Sequence, residues 1–80
     1  MITAHKYLNL DLSVINISAL IIDKLKKNNL LKYDELLSLL TSAFGDKVRE
    51  VFPYALNLLF LLDKIYYFPE LDIFQLNETE

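Results

Sequence analysis

His5 is the only histidine of the chain, and cysteine is absent. A metal centre or a catalytic dyad needs a second ligand or base at a defined spacing. No Asp/Glu motif and no second His or Cys stands near His5, so a surface or turn role is expected for it. Asp34 and Glu35 are neighbouring acids. Adjacent helical positions point in different directions, so the two do not form a general acid/base pair. Their expected role is to complement a helix N-terminus. No glycine-rich phosphate loop and no nucleophile motif occurs. Tyr66, Tyr67, Phe68 and Phe74 offer faces on which single-stranded bases can stack. No basic residues interleave with them, which favours strand packing and protein contact. Lys24, Lys26, Lys27 and Lys32 can touch phosphates, although a solvated helix end explains the same cluster. The residues predict no enzyme activity, no metal and no cofactor.

The elements that carry these residues follow from spacing. Leu8-Asn9-Leu10-Asp11-Leu12 alternates apolar and polar, the period of an extended segment. Ser13 is a suitable N-cap. A first helix is expected over about Val14–Lys27, with Val14, Ile17, Ile21 and Leu25 on one stripe, widened by Ile15 and Ile22. Asn28 and Asn29 tolerate the left-handed conformation that ends a helix. Leu30–Tyr33 is a short connection or a single strand pairing. A second helix opens at Asp34-Glu35, forms its apolar face from Leu36, Leu37, Leu39, Leu40 and Phe44, and stops at Gly45. Asp46 is placed to cap the third helix. Pro53 lacks an N–H, so that helix either starts late, near Glu50, or bends at Pro53; it is expected to end near Asp63-Lys64. Ile65–Phe68 and Ile73–Leu76 flank a Pro69-Glu70-Leu71-Asp72 turn and predict a hairpin. Residues 77–80 are expected to fray.

Extended segment, helix, link, helix, helix, hairpin is the order of a winged-helix domain. The expected class is mainly α with a small β-hairpin, winged-helix-like, in one domain spanning residues 1–80. A three-helix bundle with a β-tail is the rival architecture.

The third helix is too apolar for so small a chain. Between Val51 and Leu62 the only strongly polar side chain is Asn57. Of 80 residues, 54% are hydrophobic, more than the ~45–50% usual even with glycine counted. A domain this size buries only about 60–65% of the surface its unfolded chain exposes, so the surplus points to oligomerisation or docking. At 3.6 residues per turn Glu50, Asn57 and Lys64 share one line, which marks the outer side of the helix. Val48, Phe52, Ala55, Leu59 and Leu62 lie opposite as expected core. Tyr54 and Leu61 flank the polar line on one side, Pro53 and Phe60 on the other, with Leu58 at the border. Pro53, Tyr54, Asn57, Phe60 and Leu61, joined by Tyr66 and Phe68 of the hairpin, make the candidate protein interface. The alternative is that the hairpin and the N-terminal segment fold over this face.

The net charge of −3 argues against a bulk pull toward nucleic acid. The N-terminus lacks the apolar core and cleavage site of a signal peptide. The Val51–Leu62 run falls short of the ~20 residues that span a bilayer. A cytoplasmic home without membrane contact is expected.

With the elements placed, the chain resembles a bacterial family: the small middle components of ABC-three component systems, close in kind to the middle subunit of Lamassu-type defence operons. Three stretches carry the resemblance. They are His5-Lys6-Tyr7-Leu8-Asn9-Leu10, then Tyr33-Asp34-Glu35-Leu36 opening the second helix, and Ala55-Leu56-Asn57-Leu58-Leu59-Phe60-Leu61-Leu62-Asp63-Lys64-Ile65. Asp63 stands where the family often has Gly. The resemblance implies a non-catalytic subunit between an SMC-like ATPase and an effector, often a nuclease, in defence against phage or plasmids. It also implies that the third helix and the wing are contact surfaces, with no catalytic residues to carry over. Two other functions fit the elements. One is a small winged-helix transcription regulator binding DNA as a dimer, although an apolar third helix and an acidic wing argue against base reading. The other is a homo-oligomer such as an antitoxin.

Overall fold

The computed structural model describes the backbone of residues 2–78 and the side chains of residues 14–78. Helix α1 covers Ile2–Asn28, strand β1 Leu30–Lys32, helix α2 Tyr33–Phe44 and helix α3 Val48–Leu61. Strands β2, Ile65–Phe68, and β3, Ile73–Leu76, complete the chain. The three strands form one antiparallel sheet in the order β1-β3-β2. The C-terminal hairpin therefore builds a wing whose inner strand also takes up the short link between the first two helices. The result is mainly helical with a small sheet, in a winged-helix-like arrangement.

The N-terminal expectation is corrected. Leu8–Leu12 is helical, not extended, and Ser13 lies inside α1 rather than capping it. A five-residue alternation is short. Leu8, Leu12 and Ile15 also recur at helical spacing, and neither Gly nor Pro interrupts the stretch. Extending an existing helix fixes one residue per hydrogen bond, whereas a separate strand has no such nucleus to grow from. The side chain of His5 lies outside the described residues.

Each helix ends on a backbone corner that the sequence marks. The N–H of Asn29, at φ 65°, donates to the Leu25 carbonyl. Gly45 closes α2 at φ 91° and ψ 179° and donates to Thr41. That region of backbone space is nearly reserved for glycine. At the end of α3, Asp63 donates to the Phe60 carbonyl and Lys64 to that of Leu59. This is the paired bonding of a Schellman motif, with Asp63 in the left-handed position at φ 58°. Asp63 thus adopts the conformation that glycine adopts without a Cβ clash.

Helix α2 begins one residue earlier than expected. The Lys32 N–H donates to Glu35 Oε1 at 2.9 Å, half of a capping box. Helix α3 begins at Val48 and continues through Pro53. Asp46 does not cap it through its side chain; it pairs with Arg49 at 3.8 Å. The missing N–H of Pro53 leaves the Arg49 carbonyl without its usual donor four residues on.

The core gathers the inner faces of all elements. Ile17, Ile21 and Leu25 of α1 meet Leu36 and Leu40 of α2 and Val48, Phe52, Ala55, Leu56 and Leu59 of α3. Leu31, Ile65 and Phe74 close it from the sheet. Phe74 packs its ring against Tyr67 at 4.8 Å, Tyr33 at 6.1 Å and Phe60 at 6.3 Å between centroids. Tyr33 in turn meets Phe52 edge-on at 5.2 Å, a favoured aromatic geometry. The buried Ser18 hydroxyl donates to the Ala55 carbonyl across the α1–α3 contact at 3.4 Å.

Two backbone substitutions test the helix ends. Gly45→Ala is expected to lower unfolding free energy by about 1–3 kcal/mol, from backbone strain alone, since an added Cβ meets nothing within 4 Å. Asp63→Val is expected to cost about 1–2 kcal/mol, while Asp63→Gly leaves stability unchanged or higher. Urea denaturation followed by circular dichroism measures all three.

Candidate protein-docking surface

Helix α3 divides its side chains as its periodicity demands. Val48, Phe52, Ala55 and Leu59 are buried, as the sequence predicts, and Leu56 joins them. Leu62 is a correction. The helix ends at Leu61, so Leu62 sits at the C-cap as the chain turns toward the wing, and it is 56% exposed. Lys64 likewise lies past the helix, which leaves Glu50 and Asn57 alone to mark the outer line. Pro53 and Asn57 are exposed, with Tyr54 at 64% and Leu61 at 83%.

The seven candidate interface residues fall into separate groups. Tyr54, Asn57 and Leu61 come together along one wall of a groove of about 850 Å³ between α3 and α1. Its floor is the half-buried Val14, Val51 and Leu58; its rims are Ile15, Tyr54 and Leu61, with Glu50 and Asn57 at the lip. Phe60 turns toward the sheet, half-covered beside Phe74. Tyr66 and Phe68 lie on the outer face of the wing with ring centroids 6.5 Å apart. Neither lines the groove. Pro53, although exposed, does not line it either.

Sequence reasoning misses the α1 wall. It puts Ile15 on the buried stripe of α1, whereas Ile15 is 56% exposed. Ile15 stands about 100° from Val14 around the helix, at the limit of a stripe of ordinary width. That angle is the signal available in the sequence. The hairpin does not line this groove, so the wing leaves Tyr54, Asn57 and Leu61 uncovered, although it half-covers Phe60.

At the wing tip the Tyr67 hydroxyl donates to Asp72 Oδ1 at 2.7 Å, with Asp72 at φ 55°. The bond to a carboxylate, aided by desolvation and by the negative charge itself, holds the Tyr67 phenol above its ordinary pKa of 10.0. Among the lysines, Lys27 pairs with Asp23 at 3.4 Å one turn earlier, which fits the role of a solvated helix end. Among the described residues, no helix is long and apolar enough to cross a membrane.

Residues 29–77 match the family described as ABC-three component (ABC-3C) system Middle Component 8. The chain belongs to this family. The matched stretch runs from the end of α1 through β3 and therefore contains β1, α2, the whole of α3 and the wing. Two of the three stretches that carry the resemblance lie within it, whereas His5–Leu10 precedes it. No curated protein and no solved structure matches the chain. As a Middle Component 8 protein it is one component of a multi-component system and works with other proteins of that system.

The wing contact has its own readout. Absorbance titration at alkaline pH is expected to find Tyr67 ionising above its ordinary 10.0. Asp72→Asn, which tolerates the same backbone, is expected to bring it down. The sign follows from the raised phenol: the bond to Asp72 is complete below the phenol's unfolded pKa of about 10 and is lost as pH rises through the folded value.

Proposed function

We propose that the chain is a non-catalytic adaptor that bridges an SMC-like ATPase and an effector, such as a nuclease, in a bacterial defence complex against phage or plasmids. It works in the cytoplasm, as a single adaptor domain, without a cofactor. Family membership supports a role among partner proteins. The observation that carries the docking role is the exposure of Tyr54 and Leu61 on a helix whose other face is core. Leaving large apolar side chains in water forgoes about 1.5–3 kcal/mol each relative to burial. A partner that covers them recovers that energy.

The adaptor has two separated contact regions: the α3 groove, and the wing face bearing Tyr66 and Phe68. Separate surfaces are what a bridge between two proteins needs. A direct DNA reader is disfavoured, because from Pro53 to Leu61 the exposed side chains of α3 are apolar or aromatic apart from Asn57, and the wing carries Glu70 and Asp72. A base-reading helix would present basic and polar groups there.

The test is co-expression of the tagged chain with the products of its neighbouring genes. The expected result is co-purification of the ATPase and the effector. Tyr54→Ala combined with Leu61→Asp is expected to weaken capture of one of them about tenfold or more, with the helical circular dichroism unchanged. A chain that is monodisperse alone and captures neither overturns the proposal. Tight, salt-sensitive DNA binding by the isolated chain would favour the regulator instead.

A further inference from the structure

The groove between α1 and α3 restricts the chemistry of what can fill it, and this inference rests on the docking role proposed above. Its floor, Val14, Val51 and Leu58, offers no hydrogen-bonding side chain. Among the described residues, the polar groups of its lining side chains are the Glu50 carboxylate, the Tyr54 hydroxyl and the Asn57 amide, all on exposed residues. An extended segment laid in the groove would press N–H and C=O groups against aliphatic side chains with nothing to pair them. A helix satisfies its backbone internally and presents only side chains.

The dimensions agree. The lining residues of α3 run from Glu50 to Leu61, about 16 Å of helix axis, or three turns. Two helical walls form a trough into which a ridge of side chains on a third helix can pack.

Charge adds the second constraint. Among the described residues, Glu50 is the only ionised side chain lining the groove. Neither ion pair formed by the described residues involves it: Asp23 takes Lys27, and Asp46 takes Arg49. Glu50 lies in the first turn of α3, so the α3 wall of the groove is acidic at its start and apolar at its end, Leu61.

We infer that the groove between α1 and α3 receives an amphipathic helix from a partner subunit, with apolar residues at i, i+3 or i+4, and i+7, and a Lys or Arg seated against Glu50. The helix lies along α3, its basic end toward Glu50 and its apolar ridge over Val51, Leu58 and Leu61. The wing face is left open for the second partner.

The test uses the complex co-purified with the full chain. A photo-crosslinking phenylalanine analogue replaces Leu61 in one variant and Tyr54 in another, and the attached peptides are mapped by mass spectrometry. The expected crosslinks fall in one partner segment on residues three, four or seven apart. Glu50→Lys is expected to weaken capture of that same subunit about tenfold. Changing the facing Lys or Arg of the partner to Glu is expected to restore it. A merely structural effect of Glu50 at the helix start would not be rescued in this way.

Crosslinks two residues apart indicate a strand and overturn the inference. So do crosslinks to a second copy of this chain, or capture indifferent to Glu50→Lys. These outcomes leave the adaptor role standing. Failure to capture any subunit overturns both.

Discussion

Phe74 is the contact on which the arrangement depends. It sits in the central strand of the sheet and is almost wholly buried. Its ring meets Tyr67 from the outer strand, Tyr33 from the start of α2 and Phe60 from the end of α3. One side chain thus ties the wing to both later helices. The wing strands are only four residues long, and an isolated hairpin of that size has little stability in water. Pairing with β1 and packing through Phe74 convert it into part of the core. The position of Tyr66 and Phe68 on its outer face is fixed by the same pairing, because neighbouring strand residues face opposite ways.

The second constraint is the length of α3. A Schellman ending at Asp63 stops the helix before a further turn can form. That stop sends Leu62 outward and swings the chain into β2. It also leaves Leu61 at the last helical position, where it projects at the groove's far end. The shape of the candidate site therefore depends on a backbone corner as much as on the side chains that line it.

Much of this was legible from residue types. The hairpin boundaries, Gly45 as a stop, the left-handed Asn29 and the buried line Val48, Phe52, Ala55 and Leu59 all follow from local chemistry that tertiary packing does not oppose. The errors cluster where local signals compete. Leu8–Leu12 fits two periodicities, and helix propagation decided between them. Leu62 keeps the helical phase of a core residue, but phase means nothing past the last turn. For the site, Tyr54, Asn57 and Leu61 were readable as one outer face because they lie on one helix. The opposite wall, Val14 and Ile15, belongs to another helix, and no single-helix pattern reveals which faces of two helices come side by side. The same limit separates Phe60 from the groove: its partner Phe74 is distant in sequence.

The pairing of β1 with β3 has a consequence for how the chain comes into being. Leu30 finds its strand partner in Gln75, 75 − 30 = 45 residues later. Such non-local pairings are slow to form, since a long loop must close before any contact rewards it. During synthesis the earlier part emerges first, yet the sheet and the Phe74 cluster cannot assemble until β3 has appeared. Until β2 and β3 follow, the apolar stripe of α1 and the apolar span of α3 lack the cover that the sheet supplies. A protein built this way gains from having its partners or a chaperone close by at the ribosome.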